Sequence, residues 1–259
     1  MTDFKKLEDY LNINTEIYHH NDLRTLNHYI DKYVSNVPFE NINVQNKQPI
    51  ALDDESMMHK IIVEHRGGFC YEQNHLFHHW ITAKGFDAYI ISATINTGTG
   101  WAMEGSHMAL IVDIEGNKYL VDVGYADVPK QAMPITDESC FVSDVSGDFQ
   151  ARWIDANTIE MSKHTDGSSE IQYRAIDCAK TITCFEEAIQ FNQYDQASIF
   201  VKKLIVSKAK SYGRVTLSNE HLTITHHSKK EKIPVTQDNY QALLKDYFGI
   251  ENIKIQIFM

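Results

Sequence analysis

Apolar spacing first changes period at Gly85, from helical to strand-like, and that change constrains the fold of this 259-residue chain more than any other feature. Before it, Phe4 to Leu11 and Leu23 to Val34 carry apolar residues at helical spacing, with Asn21 or Asp22 placed to cap the second run. Pro38 closes that region. A further helix is expected from Asp53 or Asp54 to His65, where Gly67-Gly68 breaks it. Another is expected from Cys70 to Lys84, with Leu76, Phe77, Trp80 and Ile81 on one stripe. After Phe86, β-rich runs bounded by turns take over: Tyr89 to Ile95, His107 to Asp113, Lys118 to Val123, Arg152 to Met161 and Glu170 to Ile176. The end is mixed. Helix is expected at Cys184 to Phe191, Ile199 to Ala209 and Asn239 to Tyr247; strands are expected at Arg214 to Leu217, His221 to His226 and Asn252 to Phe258. Helices, then strands, then a mixture argue for segregated α+β units and against a doubly wound sheet.

The densest chemistry lies at the break before Cys70, in Arg66-Gly67-Gly68-Phe69-Cys70-Tyr71-Glu72-Gln73-Asn74. Two glycines let the chain turn sharply and approach other backbone closely. Cys70 then falls in the first turn of an amphipathic helix, where free N–H groups and the helix dipole favour an anion. Cysteines so placed carry thiolate, the reactive form, and the same N–H groups can hold the oxyanion of a tetrahedral intermediate. A buried structural cysteine after a helix-breaking Gly-Gly fits the local pattern equally well.

A reactive thiolate needs a histidine, and the histidine needs a group to orient it. Among 13 histidines, His107 stands out because it opens a strand, His107 to Asp113, that reads as one arm of a hairpin with Lys118 to Gly124. With an even loop, Glu115-Gly116 or Ile114 to Asn117, Asp122 falls opposite Ala109, on the face of His107. The two are then diagonal neighbours at roughly 7–8 Å by backbone. An odd loop would separate them. Asp122 interrupts an apolar run, Tyr-Leu-Val-Asp-Val-Gly, and a buried carboxylate there needs a partner.

Composition excludes other classes. The net charge of −11 argues against sequence-independent contact with nucleic acid or an anionic membrane. The first ten residues lack the apolar core of a signal peptide, and no apolar run is long enough to span a bilayer, so a cytoplasmic protein is expected. Cys140, Cys178 and Cys184 form no CxxC with each other or with Cys70, and are expected as small buried apolar residues. His75 and His79 have i, i+4 spacing without further ligands, so no metal is expected. Gly98-Thr99-Gly100-Trp101 lacks the lysine and helix of a phosphate loop and reads as a loop beside His107. The densest basic stretch, Lys202, Lys203, Lys208, Lys210 and Arg214, reads as a solvated helix face and is the first place to seek phosphate contacts.

Taken together these motifs resemble the arylamine N-acetyltransferases. Arg66-Gly67-Gly68-Phe69-Cys70, Glu72 and Asn74 match the family signature, His107 its strand-opening histidine, and Val121 to Gly124 its Val-Asp-Val-Gly. Pro38-Phe39-Glu40-Asn41, Gly213 to Leu217 and Tyr247 to Ile250 match in the family's order. The resemblance implies an α+β fold with a helical N-terminal domain (1–85), a central β-barrel domain (86–190) and a C-terminal α/β lid (191–259). It implies a Cys70-His107-Asp122 triad arranged as in papain-type proteases and transglutaminases, and a structural Glu40–Arg66 ion pair. Acetyl-coenzyme A is the implied acetyl donor, and arylamines, hydrazines or N-hydroxyarylamines the acceptors. Tyr125, Ala126 and Ser106, adjoining the triad in sequence, are the candidate cofactor contacts. The family commonly carries Phe-Gly where Tyr125-Ala126 stands, a departure expected to narrow the acceptor slot and favour small or polar acceptors. Gln193 to Phe200 matches only loosely. A triad thiol hydrolase or amide synthase on the same scaffold is the alternative.

Overall fold

The computed structural model describes residues 2–165, 167–226 and 229–258. Five helices and one short strand come first: α1 (Lys5–Tyr10), α2 (Leu23–Asn36), β1 (Phe39–Glu40), α3 (Ile42–Gln45), α4 (Asp54–Ile62) and α5 (Cys70–Ala83). Asp22 and Asp53 cap α2 and α4, their carboxylates accepting from Thr25 and Ser56 N–H at 2.8 Å each. Phe69 has no acceptor with which to cap α5, so only half of a capping box forms, Glu72 accepting from the Phe69 N–H at 3.2 Å.

Eight strands follow: β2 (Asp87–Ile95), β3 (His107–Ile114), β4 (Asn117–Val121), β5 (Met133–Thr136), β6 (Val142–Asp144), β7 (Gly147–Trp153), β8 (Thr158–Thr165) and β9 (Ser168–Ile176). The order β5-β4-β3-β2-β9-β8-β7 is closed into a seven-stranded barrel by a parallel β5–β7 pairing, and β6 lies outside against β7. The β3–β4 hairpin turns at Glu115 and Gly116, both at positive φ as a two-residue turn of this hand requires. Its register pairs Leu110 with Val121. The even loop expected from sequence is therefore the one present.

Strand β3 is buried on both faces. Ala109 and Ile111 fill the barrel, while Met108, Leu110 and Val112 join the core built around α2 and α5. His107 lies on the barrel-facing side of this shared strand, at its first residue, and meets the helical core there.

The last part holds α6 (Glu186–Tyr194), α7 (Ile199–Lys202), β10 (Ile205–Lys210), β11 (Gly213–Ser218), β12 (His221–His226), β13 (Lys229–Pro234) and α8 (Tyr240–Phe248). Here β1 joins β10 to complete an antiparallel sheet, β1-β10-β11-β12-β13, with α8 on one face.

Three expectations fail. Ile199 to Ala209 is helical only to Lys202; from Ile205 it is a strand, because alternation sends Ile205 and Ala209 to the helical core and Val206 to the C-terminal one. Arg152 to Met161 is two strands, since the Asp155 carboxylate accepts from Asn157 and Thr158 N–H and turns the chain. Asn252 to Phe258 pairs with no strand; its backbone is held instead by Asn46, which bonds Lys254 O and Gln256 N.

Candidate active site

The two glycines before Cys70 are required by space. Neither has a positive φ, yet a Cβ on Gly67 would stand 1.8 Å from the Pro38 carbonyl oxygen, and one on Gly68 2.3 Å from the Glu72 carboxylate. The turn thus presses against β1 and directs α5 into the molecule. Gly124 plays the same part from the other side, where a Cβ would come within 2.7 Å of Cys70 Cα. This close approach brings the end of the β3–β4 hairpin onto the first turn of α5.

At that junction Cys70, His107 and Asp122 lie together, each no more than 3% exposed. His107 Nε2 donates to Asp122 Oδ2 at 2.7 Å. Cys70 acts on the same ring, and with Nε2 committed to Asp122, Nδ1 is the nitrogen left to face it. Burial acts to lower the His107 pKa, but the Asp122 charge, the Asp122 hydrogen bond and Cys70 outweigh it and raise it to about 10. The ring is held as imidazolium at neutral pH.

Sequence reasoning missed what holds Asp122. Besides His107, Tyr173 Oη donates to Oδ2 at 3.0 Å, and Asn74 Nδ2 and the Gly124 N–H each donate to Oδ1 at 2.9 Å. Asn74 also donates to Met108 O and accepts from Val123 N, fastening α5 to both arms of the hairpin. Asn74 belongs to the motif that flagged Cys70, and its position one turn beyond that residue was the available signal. Tyr173 reaches in from β9 across the barrel and carries no local signal.

A cavity of about 440 Å³ opens onto Cys70 and His107. Ser106, Tyr125 and Ala126 all line it, as do Phe191 from α6 and Ile199 and Phe200 from the segment that matched the family only loosely. Tyr125 sets its ring against His107, centroids 5.3 Å apart, but gives its hydroxyl proton to Gln172 at 3.2 Å. It is a wall, and its phenol is engaged away from the sulfur. The loop after it is clamped. Arg214 donates to Ala126 O, Asp127 Oδ1 and Val128 O, and Ser207 adds a second bond to Ala126 O.

That clamp removes Arg214 from the basic stretch considered for phosphates. Lys210 donates to Tyr247 O and Lys202 to Ala197 O, and these residues lie on strands and a short helix, so they form no common helix face. His79 is paired with Asp54 at 2.7 Å and His75 with Leu52 O at 3.1 Å.

The expected Glu40–Arg66 pair is present at 2.8 Å and belongs to a buried set of four. Lys60 lies 3.3 Å from Glu40 and 2.8 Å from Glu72. Burial would raise Glu40, but Arg66 and Lys60 hold it below the usual carboxylate range; Glu72, for which burial prevails over Lys60, is raised.

The other cysteines are not the buried apolar residues expected. Cys178 and Cys184 are exposed and Cys140 half-buried; Cys178 lies in the connection after β9, and Cys184 on the outside of the short 3-10 helix Ile182–Phe185 that leads into α6. Hydrogen bonding from the Thr181 backbone and side chain lowers the Cys184 thiol. Excess iodoacetamide is therefore expected to alkylate Cys178 and Cys184 along with Cys70, with turnover lost in step with Cys70 alone. Peptide mapping against residual activity checks this, and inactivation that tracks Cys184 would contradict it.

A family model described as N-acetyltransferase matches residues 22–256. The chain belongs to the arylamine N-acetyltransferase family. Among similar arylamine N-acetyltransferases of known structure, one from Bacillus cereus is 26% identical. It superposes with a TM-score of 0.86 over 97% of this chain and 100% of that one. It is described as having a unique Cys-His-Glu catalytic triad, whereas here the histidine's partner is Asp122. The Mycobacterium marinum enzyme in complex with CoA is 19% identical, with a TM-score of 0.86 over 96% of this chain and 93% of that one. The uncharacterized acetyltransferase YvcN of Bacillus subtilis is 26% identical over 82% of this chain and 85% of its own length. As an arylamine N-acetyltransferase the chain is a cysteine-dependent enzyme of the transferase class. No helix among the described residues is long and apolar enough to cross a membrane.

Proposed function

We propose that the chain transfers an acetyl group from acetyl-coenzyme A to an arylamine, hydrazine or N-hydroxyarylamine through an acetyl-cysteine at Cys70. The single observation carrying this reading is the buried Cys70–His107–Asp122 constellation at the floor of a cavity large enough for a small molecule. A neutral, largely apolar cavity suits a thioester, which has no charge to satisfy. The Mycobacterium marinum relative's complex with CoA supports the choice of donor.

In the first step the Cys70 sulfur attacks the thioester carbonyl carbon. The first-turn N–H groups of α5, which have no carbonyl four residues back, face the developing oxyanion. The carbon–sulfur bond to coenzyme A then breaks, and the imidazolium of His107 gives its proton to the departing thiolate. In the second step the acceptor's amine attacks the acetyl carbon, and His107, now neutral, takes the proton that nitrogen loses. The amide leaves and the Cys70 thiolate is restored beside an imidazolium. Asp122 keeps one ring nitrogen protonated throughout, so the other is always the one facing sulfur and substrate. Ser106, Tyr125 and Ala126 border the path of the acyl group and the arm that carries it.

Incubation with acetyl-coenzyme A without acceptor should add one acetyl group per chain, mapped to Cys70 and removed on adding an arylamine. Cys70→Ala should take up none. A hydrolase would accumulate no acetyl-enzyme and release acetate at the same rate with or without amine, and that result would refute the transferase reading.

A further inference from the structure

Two side chains of α5 grip the main chain on either side of His107. Asn74 donates to the Met108 carbonyl at 2.7 Å. Tyr71 Oη donates to the Gly105 carbonyl, also at 2.7 Å. The chain is thus pinned two residues before His107 and one residue after it, by the helix that begins with Cys70.

Tyr71 directly follows the nucleophile and is fully buried. Its ring stands edge-on to Phe69, centroids 5.2 Å apart, and tilted against Phe185 at 5.7 Å. Burial, and after it the neighbouring Cys70, push the phenol pKa up, so the hydroxyl remains a donor at neutral pH. The same oxygen accepts from Asn192 Nδ2 at 3.1 Å, and Asn192 Oδ1 accepts from Ser198 Oγ at 3.2 Å. Asn192 and Ser198 are buried and line the cavity, whereas Tyr71 does not line it. A buried relay therefore runs from the cavity wall to the turn that delivers His107.

We propose, resting on the acetyl-transfer reading above, that Tyr71 is a positioning residue. Its hydroxyl sets His107 against Cys70 by holding the Gly105 carbonyl, and Asn192 keeps that hydroxyl in line. Tyr71 touches no substrate. It governs the rate of acetyl transfer and not the binding of acetyl-coenzyme A.

The test is acetylation of Cys70 in the full-length protein without acceptor, followed by intact mass over a range of acetyl-coenzyme A concentrations, beside a melting curve. Tyr71→Phe keeps the ring and removes both bonds. The limiting rate should fall by on the order of 10- to 10²-fold, with half-saturation unchanged within about twofold. The same change strands Asn192 Nδ2 without a partner in a buried place, so Tm should fall too. Adding Asn192→Leu removes the stranded donor, and Ser198 keeps the backbone carbonyl of residue 192 as acceptor at 3.4 Å. The double variant should regain part of the lost Tm while its rate stays low, because Gly105 is still unheld. A rate that recovers together with Tm would reduce Tyr71 to a structural role and overturn the proposal. So would a folded Tyr71→Phe protein acetylated as fast as the wild type. If Tyr71→Phe alone does not fold, the double variant reads the same rate, and wild-type speed in it would overturn the proposal. A wild-type protein that forms no acetyl-Cys70 would overturn the transfer reading and this inference with it.

Discussion

Replacing Asp122 by asparagine is expected to lower turnover by on the order of 10³–10⁴-fold, the scale seen when a triad histidine loses its orienting carboxylate. Asp122 Oδ2 receives both His107 Nε2 and Tyr173 Oη, and Oδ1 both Asn74 and the Gly124 N–H. The amide of asparagine has only one oxygen, so either orientation sets its NH2 against two donors. With the charge gone, burial is left as the main influence on His107, and burial lowers a histidine's pKa. The imidazolium is then lost at neutral pH.

The wild-type sign is the reverse. The folded-state pKa is raised from 6.5 to about 10, so the pair's contribution to stability is complete below 6.5 and disappears as pH rises through 10. Unsatisfied donors should also cost the variant about 1–3 kcal/mol of stability. Single-turnover acetylation and a melting curve on the same sample separate the two effects. A folded Asp122→Asn protein with near-normal turnover would exclude the triad.

The second large effect is expected in the buried ion-pair set behind the start of α5. Lys60→Met leaves Glu40 and Glu72 buried with Arg66 as their remaining cation, and Arg66 is bonded to Glu40 and not to Glu72. Breaking a buried ion pair from one side costs about 3–5 kcal/mol. Glu72 is already raised in the wild type and rises further without Lys60. A carboxylate with a raised folded-state pKa binds its proton more tightly folded than unfolded, so the variant's deficit should shrink as pH falls toward that pKa. Urea unfolding of both proteins at pH 8 and pH 5 checks this; a deficit that is equal at both, or larger at pH 5, would contradict the assignment to Glu72. Because Glu72 also accepts from the Phe69 N–H at the start of α5, part of the cost should appear as weaker acetylation of Cys70.

What sequence disclosed and what it hid divide along a physical line. Cys70, His107 and Asp122 were readable because each breaks a local rule: a thiol at a helix start, a histidine opening an apolar strand, a carboxylate within one. The even hairpin loop then put two of them on one face. Tyr173 breaks no rule where it stands in β9, and its role exists only because the barrel closes. Ile205 to Ala209 was read as helix because Ile205, Val206 and Ala209 fit a helical stripe as well as a strand, and only pairing with β1 and β11 decides between them. Arg214 looked like one more surface cation, since nothing near it in sequence announces the carbonyls of Ala126 and Val128.

The short strand β1 has a consequence for the order of assembly. Phe39 pairs with Ser207 on one side and meets Gly68 on the other, while the Glu40 N–H bonds the Gly68 carbonyl. The turn that aims Cys70 is thus braced by a residue whose own sheet partner comes late in the chain. During synthesis the helical part can collapse early, but β1 stays an unpaired edge until β10 emerges. Closing so long a loop is entropically costly and slow. The bracing of the turn before Cys70 is therefore expected to be complete only once β10 has been made and has docked on β1.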